Sequence, residues 1–379
     1  MNGKRKSYLL ANASFYPSAG GVETTLRGMV EALVKDGHEV IVVSGNRANT
    51  TSQPQKEHEI LFGAEIYRYK VLPFFLYYLT ATLLLRKISR DKVFDVVISR
   101  SYTTTICLWL AGYKNIKYVA PSSYSLLNHP KFTSGNKVKR YVSYLINSGL
   151  ERLSILLLKE VFVFSSEMEG QIKKLSKYKK VNKVFPGVDK ARFKPVSAGE
   201  KASLRKKYLV PDDKIVLLFI GRAEKVKNSL DVIQVLTYLP DNFIAFYVGE
   251  GSEKNAAVEL SIKKGLQDRV RFYDFTNRPE EFFQLSDAFL MTSIYETFGQ
   301  VILEALSCGT KVFGYASSTT VKTATSEIFE TLGIDAKRYL CDKERGLDAL
   351  AYKIKRGVGN DEGFESGVYG WNEFVYRIR

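Results

Sequence analysis

Two glutamates eight residues apart form the pattern with the clearest chemical use. Glu296 follows the apolar run Ala288–Met291, and Glu304 lies in a segment with helical spacing that opens near Phe298 and Gly299. A carboxylate accepts hydrogen bonds at two oxygens, which suits neighbouring hydroxyls of a sugar. The amides at Phe298 and Gly299 would meet an anion at the helix start. Glu296 is therefore expected to hold a sugar and Glu304 a ribose, although an isolated pair is also typical of an acidic helix start that stabilises its own dipole.

A basic pair follows another apolar run. Arg222 and Lys227 come directly after Ile215–Ile220, in a turn at the expected carboxyl end of a strand. A fixed guanidinium and ammonium can stabilise a departing diphosphate without a metal ion. The same spacing also fits two solvated residues of a Lys-rich loop, and Lys225 fits that interpretation.

Glycines follow two further apolar runs. Gly20 and Gly21 lie between Ser7–Ala11 and a predicted amphipathic helix, and Gly249 follows Phe243–Val248. Glycine lets a phosphate approach the backbone, and the free N–H groups of a helix start then face the anion. The alternative for Gly20 and Gly21 is a helix-entry turn whose glycines only allow tight packing.

Short apolar runs alternate with helical patterns along the chain. Nearly continuous apolar strands are typical of a parallel sheet covered by helices on both faces. A composition break at Pro195–Lys214 predicts a linker. The expected fold class is therefore α/β, with two Rossmann-like doubly wound parallel-sheet domains, 1–195 and 196–379, facing each other across a cleft, and the last helix is expected to pack back on the N-terminal domain. The predicted elements are the helix Val22–Lys35 and the strands Ser7–Ala11, Glu39–Ser44, Asp95–Ser99, Lys117–Ala120, Val161–Ser165, Lys183–Phe185, Ile215–Ile220, Phe243–Val248, Val270–Phe272, Ala288–Met291, Lys311–Phe313 and Arg338–Leu340.

Five motifs occur in one order over most of the chain. They are Gly20-Gly-Val-Glu23, Gly187-Val-Asp-Lys-Ala-Arg-Phe-Lys-Pro195, Gly221-Arg with Lys227, Val248-Gly-Glu-Gly251, and Glu296 with Glu304-Ala305. In this order and with ordinary spacings they resemble glycosyltransferase family 4, the retaining enzymes with the GT-B fold. The resemblance implies transfer of a sugar from a nucleotide-diphosphate sugar to a glycan or lipid-linked acceptor, in cell-envelope polysaccharide or glycolipid synthesis. It implies no cofactor beyond that co-substrate and no essential metal, and the sequence contains no D-x-D.

The resemblance also implies a role for each matching residue. Arg222, Lys227 and Glu296 would act in catalysis. The residues implied to bind the donor are Gly20, Gly21, Arg222, Lys227, Gly249, Glu296, Phe298, Gly299 and Glu304.

The acceptor side departs from the family pattern. Many members carry a histidine after the strand near Lys117–Ala120, whereas this chain reads Pro121-Ser-Ser-Tyr124 and has His129 nearby. Ser123, Tyr124 and His129 are therefore the acceptor-side candidates. Further on, the chain reads Gly309-Thr-Lys-Val312 and Ser317-Ser-Thr-Thr320 where the family has G-x-P-V and a glycine-rich stretch.

The charge of the chain favours an anionic partner. Its 56 basic and 40 acidic residues give a net charge of +16. The basic stretches Lys173–Lys180 and Lys131–Arg140, with Tyr141, Tyr144 and Leu145 beside the second, predict peripheral binding to an anionic membrane, on its inner face; a solvated basic surface is the alternative. Three scattered cysteines are typical of a reducing cytoplasm. The apolar run Val71–Leu85 is shorter than the roughly 20 residues of a membrane span, so it predicts a buried helix.

Three other classes of protein share part of these features. A GT-B-fold sugar-nucleotide epimerase or phosphorylase would share the fold and donor residues. A nucleic-acid-binding protein would share the charge, but the sequence carries no nucleic-acid motif and no such partner is expected. A dinucleotide oxidoreductase would need a glycine where Lys254 follows Val248-Gly-Glu-Gly251. The sugar, the base and the acceptor stay open.

Overall fold

The computed structural model describes residues 4–18, 20–73, 76–123, 137–358 and 367–379, with the backbone alone for 137–140. The chain divides into two compact units. The first ends at Gly187 and also includes Tyr369–Arg379, and the second comprises Val188–Val368.

The elements alternate between strand and helix in both units. The strands are β1 (Ser7–Ala11), β2 (Glu39–Gly45), β3 (His58–Leu61), β4 (Ala64–Tyr69), β5 (Val96–Ser99), β6 (Ile116–Val119), β7 (Glu160–Val163), β8 (Lys180–Lys183), β9 (Ile215–Ile220), β10 (Phe243–Val248), β11 (Val270–Tyr273), β12 (Ala288–Met291), β13 (Tyr295–Glu296), β14 (Lys311–Tyr315), β15 (Lys322–Thr323) and β16 (Leu340–Cys341). The helices are α1 (Gly21–Lys35), α2 (Leu76–Asp91), α3 (Tyr102–Leu110), α4 (Lys137–Leu156), α5 (Ser166–Leu175), α6 (Ala198–Lys207), α7 (Leu230–Val235), α8 (Lys254–Lys263), α9 (Pro279–Leu285), α10 (Gln300–Ser307), α11 (Thr325–Thr331), α12 (Ala336–Tyr339), α13 (Leu347–Val358) and α14 (Trp371–Ile378).

The first unit is built on an eight-stranded sheet. Its order is β3-β4-β2-β1-β5-β6-β7-β8, and only β3 runs antiparallel to its neighbour. The central strands are apolar and buried, as helices on both faces require. The strand order reverses between β1 and β5, so the connections from these two neighbours leave in opposite directions and open a crevice at their carboxyl ends.

The second unit is built on a six-stranded parallel sheet. Its order is β11-β10-β9-β12-β14-β16, the doubly wound order 3-2-1-4-5-6 in chain sequence, and β13 pairs separately with β15. Here the strand order reverses between β9 and β12. Two doubly wound α/β units confirm the predicted fold class.

The structure corrects several predicted elements. The edge strand β3 and its neighbour β4 were not predicted; Glu65 and Arg68 interrupt the apolar pattern of β4. The strand predicted at Lys183–Phe185 lies earlier, as β8. The strand predicted at Arg338–Leu340 begins only at Leu340, because residues 336–339 form a helical turn.

Half of the stretch predicted as a linker is helical, because α6 covers Ala198–Lys207. Ser197 and Glu200 form a capping box, in which each side chain bonds the other residue's backbone, and this starts α6. Lys201 and Arg205 of α6 both pair with Asp287. The second unit begins still earlier, at Val188 instead of residue 196, because Arg192 pairs with Glu280 at 2.7 Å and the following residues pack on that unit.

The apolar run Val71–Leu85 does not form a buried helix. The helix α2 begins only at Leu76, after Pro73, and Ala81 and Leu85 are buried. Leu76, Leu79 and Leu83, at positions i, i+3 and i+7, are each more than half exposed. Among the described residues, no helix is both long enough and apolar enough to cross a bilayer.

The C-terminal helix α14 belongs to the first unit. Its Trp371 packs where a side chain at Gly28 of α1 would stand. Phe374 is fully buried and meets Phe164 edge to face, with ring centroids 5.8 Å apart. Arg379 donates to the Tyr8 hydroxyl at 2.8 Å. The helix thus closes part of the apolar core of the first unit.

We expect Phe374→Ala to lower the free energy of unfolding of the first unit by about 3–5 kcal/mol, because a fully buried aromatic ring leaves a cavity when it is truncated. Denaturant unfolding followed by tryptophan fluorescence measures this, since Trp371 lies in the same helix. The control is Glu373→Gln at the exposed neighbouring position, which should change stability little. Equal stability of the two variants would contradict the packing of α14.

Candidate active site

The basic loop of the second unit follows β9. A single 3₁₀ turn at Lys225–Lys227 ends at Asn228, which has a left-handed backbone conformation. The hydroxyl of Thr292 donates to the Lys227 carbonyl oxygen at 3.0 Å, and the Ile294 amide donates to the Val226 carbonyl oxygen at 2.9 Å. Since Thr292 and Ile294 follow β12, which neighbours β9, the loop is held where the strand order reverses.

Lys227 and Glu296 form an ion pair at this edge. Glu296 lies in β13, where it is paired with Thr323 of β15, so its backbone is fixed. Both side chains are about four-fifths buried, with exposed fractions of 22% and 21%. Partial burial weakens solvent screening of the pair. The structure therefore brings together two of the three residues predicted to act in catalysis.

Arg222 stands at the start of the same loop. It is exposed, and among the described residues none accepts a hydrogen bond from its guanidinium. The loop after β10 supports its backbone, because Ala223 donates to the Glu250 carbonyl oxygen at 2.8 Å. Gly249 is needed for this approach: it has φ +131°, and a side chain there would overlap the carbonyl oxygen of Gly221. A cation that bonds no other described side chain, at a strand's carboxyl end, is available for an anionic ligand.

Glu304 lies in α10, directly after this ion pair along the chain. Gly299 caps the helix in a left-handed conformation with φ 92°, and Phe298 is buried before it. Loss of water around the Glu304 carboxylate raises its pKa to about 7, an effect that the charge of Arg192 opposes and that of Glu280 reinforces. Glu304 therefore changes charge near neutral pH, unlike an ordinary surface glutamate.

The glycine loop of the first unit leads into α1. Gly20 is the residue before the helix and accepts from the Thr24 amide at 2.9 Å, and Gly21 is its first residue. The Glu23 carboxylate accepts a hydrogen bond from Ser14, which ties the loop after β1 to the helix start. A side chain built at Gly21 would meet open space. The backbone is thus approachable at Gly21, as a phosphate contact requires, whereas a side chain at Gly20 would overlap the Glu23 carboxylate.

Only one acceptor-side candidate can be described. Ser123 is buried, its amide donates to Gln171 at 2.8 Å and its hydroxyl donates to Glu151 at 2.7 Å. Tyr124 and His129 lie outside the described residues, as do the side chains of Lys131–Arg140. The roles of Ser123, Tyr124 and His129 stay predictions.

Two buried polar residues at the first unit's reversal point were not singled out from the sequence. Asn12 follows β1 and Arg100 follows β5, with exposed fractions of 3% and 2%. The signal was available, since a charged residue directly after an apolar strand is the criterion that selects Arg222. Within the described ranges, no group of three or more histidine, cysteine, aspartate or glutamate side chains could hold a metal ion.

The comparison with known families decides the identity of the chain. A model of the family described as "Glycosyltransferase Family 4" matches residues 19–192, and one described as "Glycosyl transferases group 1" matches residues 200–362. Together they span both units. The chain belongs to glycosyltransferase family 4. It is a glycosyltransferase of the hexosyltransferase type with the GT-B fold, and it uses a nucleotide sugar.

Similar proteins extend this glycosyltransferase assignment. The chain is 24% identical to an N-acetyl-alpha-D-glucosaminyl L-malate synthase of Bacillus anthracis over 310 residues, which are 79% of this chain and 76% of the relative. It is 34% identical to the O-antigen biosynthesis glycosyltransferase WclY of Escherichia coli over 134 residues, 35% of this chain and 36% of the relative. The structure of Anabaena HepE in complex with UDP-glucose shares the fold, with a TM-score of 0.69, 16% identity and coverage of 99% and 98%.

We expect the glycosyltransferase to bind its nucleotide sugar more weakly as the pH falls through about 7, because Glu304 is predicted to accept hydrogen bonds from the ribose and its carboxylate accepts them best when charged. Below that pKa the affinity should fall by up to about tenfold per pH unit. Since the pKa is raised in the folded protein, the empty enzyme should also lose stability as the pH rises from 4.5 to about 7.

Calorimetric titration with a nucleotide sugar at several pH values measures this dependence. In Glu304→Gln the slope should disappear, because the amide does not titrate. Glu330→Gln, which removes an exposed carboxylate of the same unit, should behave as the wild type. If the affinity of Glu304→Gln depends on pH as that of the wild type does, Glu304 does not bind the nucleotide sugar.

Proposed function

We propose that this glycosyltransferase moves a hexose from a nucleotide-diphosphate sugar to a glycan or lipid-linked acceptor, with retention of the anomeric configuration and without an essential metal ion. The observation that carries the proposal is the ion pair of Lys227 with Glu296 where β9 and β12 end side by side. Arg222, at the start of the same loop, has no ion-pair partner among the described residues. Two cations and a carboxylate at one edge suit a ligand with a diphosphate and a sugar.

The cations stabilise the leaving group. As the bond between sugar and phosphate breaks, negative charge grows on the diphosphate, and Arg222 and Lys227 offset it without a metal. Glu296 neutralises the charge of Lys227 in the ion pair. The donor's phosphates compete with that carboxylate for the ammonium group, and Glu296 then accepts hydrogen bonds from the sugar hydroxyls.

Retention follows from attack on the face from which the diphosphate leaves. The acceptor hydroxyl forms the new glycosidic bond while the bond to the diphosphate breaks, and a diphosphate oxygen takes the hydroxyl proton. No protein group has to act as nucleophile. The arrangement needs fixed charges that hold the leaving group close to the sugar during transfer.

The relatives support the choice of substrates. HepE has been crystallised in complex with UDP-glucose, which makes uridine nucleotides the first donors to test. WclY acts in O-antigen biosynthesis, which favours a cell-envelope product. The Bacillus relative is named for the synthesis of N-acetyl-alpha-D-glucosaminyl L-malate, so a small acceptor must be tested beside glycans.

We expect Arg222→Ala and Lys227→Ala each to lower kcat by at least about 100-fold, as when one preorganised donor to a developing oxyanion is lost. The matched control is Lys225→Ala, which removes an exposed cation from the same loop. Single-turnover transfer of radiolabelled sugar measures the rates. A wild-type rate in either variant would show that the substituted cation does not stabilise the leaving group.

The same assay tests the reaction class. Product NMR should show a new glycosidic bond with the donor's anomeric configuration, and EDTA should leave the rate unchanged. An isomerised sugar nucleotide without a glycosidic product would mark an epimerase. Sugar phosphate formed from inorganic phosphate would mark a phosphorylase.

We also propose that the glycosyltransferase binds an anionic membrane through its first unit, in the cytoplasm, where a lipid-linked or envelope acceptor is reached. The support is an apolar surface on α2 and α4. Leu76, Leu79 and Leu83 of α2 are more than half exposed. On α4, so are Tyr141, Leu145 and Leu156. Because α3 packs against both helices, the two exposed faces belong to one side of the sheet.

Basic residues accompany this apolar surface. Arg86, Lys87 and Arg90 on α2 and Arg152 on α4 are exposed. Each contributes roughly 1 kcal/mol of attraction near an anionic leaflet. The predicted run Lys173–Lys180 supports the idea less, because Lys179 donates to the Leu158 carbonyl oxygen and Lys180 pairs with Glu160. An anionic bilayer matches exposed leucines and cations on the same helices.

We expect co-sedimentation with anionic phosphatidylglycerol vesicles and not with neutral phosphatidylcholine vesicles. The double variant Leu79→Glu, Leu83→Glu should bind at least about tenfold more weakly, because charged side chains cannot enter the interface. The matched control is Ile262→Glu in the second unit. Ile262 is an apolar residue that is 62% exposed, and this variant should bind as the wild type. Equal binding to both vesicles, or to neither, would end the membrane proposal.

A further inference from the structure

Arg100 is an arginine buried at the carboxyl edge of the first unit's sheet. It follows β5, its amide donates to the Ala11 carbonyl oxygen of β1 at 2.9 Å, and it is 2% exposed. Its Nη1 donates to the Val119 carbonyl oxygen at the end of β6 at 2.9 Å. The guanidinium carbon lies 4.8 Å from the centre of the Phe164 ring, after β7. The side chain thus reaches across the ends of two neighbouring strands.

This guanidinium has no counter-ion among the residues that the structure describes. Throughout the described part of the chain, no carboxylate lies within ion-pair distance of it, and its Nε has no hydrogen-bond partner. Glu23 is the acidic residue whose charge reaches Arg100, but its carboxylate accepts from Ser14 instead. Burial lowers the pKa of Arg100 to about 10, so the group stays charged at neutral pH. Burying an unpaired charge is costly to the fold, and a carbonyl and a ring offset that cost only in part.

The position of Arg100 is the one where open parallel sheets bind ligands. It stands between β1 and β5, where the order of strands reverses. Asn12 is buried beside it at the end of β1, and the next residues after Arg100, Ser101 and Tyr102, are partly exposed. A ligand at this edge therefore approaches within one residue of an arginine that pairs with no carboxylate among the described residues.

A guanidinium with an unmet N–H is complementary to an oxyanion. Carboxylates and phosphates accept two parallel N–H bonds from arginine, and such charge-assisted bonds are the strongest of their kind. A lysine or a neutral donor would not match this geometry. The unmet donor and the unmet charge are both satisfied by one anionic group.

We propose that Arg100 binds a phosphate or carboxylate group of the sugar acceptor. Assigning the anion to the acceptor rests on the proposed function, in which Arg222 and Lys227 of the second unit bind the donor's diphosphate. The substrate class is then an acceptor that carries an acidic group near the reacting hydroxyl, and Arg100 anchors it for attack. The choice between a phosphorylated and a carboxylated acceptor is left to the experiment.

The first experiment needs no knowledge of the acceptor. The parent is the Arg222→Ala, Lys227→Ala variant, so that the cations of the second unit do not contribute. Thermal unfolding is followed in inorganic phosphate, in acetate and in chloride at equal ionic strength. We expect phosphate or acetate to raise Tm relative to chloride in the parent, and this rise to vanish when Arg100→Met is added. In chloride, Arg100→Met should unfold at the parent's Tm or above it, because an apolar chain of similar length replaces an unpaired buried charge.

Controls separate this site from general anion binding. Lys177→Met removes an exposed cation of the same unit and should keep the parent's response. Arg100→Lys keeps the charge without the planar fork, and should bind phosphate at least about threefold more weakly. An anion response that survives in Arg100→Met, or no response in the parent, overturns the proposal. If Arg100→Met does not fold, an unchanged phosphate affinity of Arg100→Lys overturns it.

A second experiment tests the assignment to the acceptor, on the otherwise wild-type enzyme. Arg100→Met should bind a nucleotide sugar as tightly as the wild type. With an acidic acceptor its KM should rise about 10–100-fold, the loss expected for one charged hydrogen bond, while a neutral analogue is unaffected. If Arg100→Met instead binds the nucleotide sugar more weakly, the anion that Arg100 binds belongs to the donor, and the assignment to the acceptor is overturned. Absence of transfer by the wild type with every donor would refute the proposed function and leave the phosphate result intact.

Discussion

The ion pair between Lys227 and Glu296 depends on two strand ends lying side by side. The residues are far apart along the chain and meet because β9 and β12 are neighbours whose connections leave in opposite directions. The short pairing of β13 with β15 then fixes the glutamate. The same reversal in the first unit places Asn12 and Arg100 together. One topological constraint, used twice, explains why the polar residues without an obvious structural role collect at these edges.

The loops at the second unit's edge are held by backbone contacts and not by the charges they carry. Gly249 lets the loop after β10 touch the loop of Arg222, and Thr292 holds the carbonyl of Lys227. The backbone that carries both cations is therefore held in place before any ligand arrives, and Lys227 then exchanges Glu296 for the donor's phosphate. Preorganised charge stabilises a transition state better than charge that must first move into place, because no reorganisation is needed during the reaction.

Much of the fold could be predicted from the sequence, because buried parallel strands are nearly continuous apolar runs. β1, β9, β10 and β12 were placed at the observed bounds. The strand β4, which lies between β2 and the edge strand β3, could not be found in this way, because the charged residues Glu65 and Arg68 are typical of a loop. In the fold, Arg68 pairs with Glu59 of β3. The helix α2 shows the opposite failure. Its leucines predict burial, but only one face of the helix is covered by the rest of the unit. The sequence of a helix does not determine how much of its surface the sheet covers.

The candidate site also has one property that the sequence predicts and one that it does not. Its position could be predicted, because residues that follow apolar strands gather at one edge. Its electrostatics could not, because they depend on what else reaches that edge: burial shifts the pKa of Glu304, and within the described residues no acid meets Arg100. Arg222 and Arg100 carry the same signal in the sequence, a basic residue directly after a strand. One is exposed and the other is buried without a counter-ion among the residues described. Only the burial of Arg100 lowers the stability of the fold. Because Arg100 lies at an edge where such sheets bind ligands, binding of a ligand explains this loss of stability better than packing does.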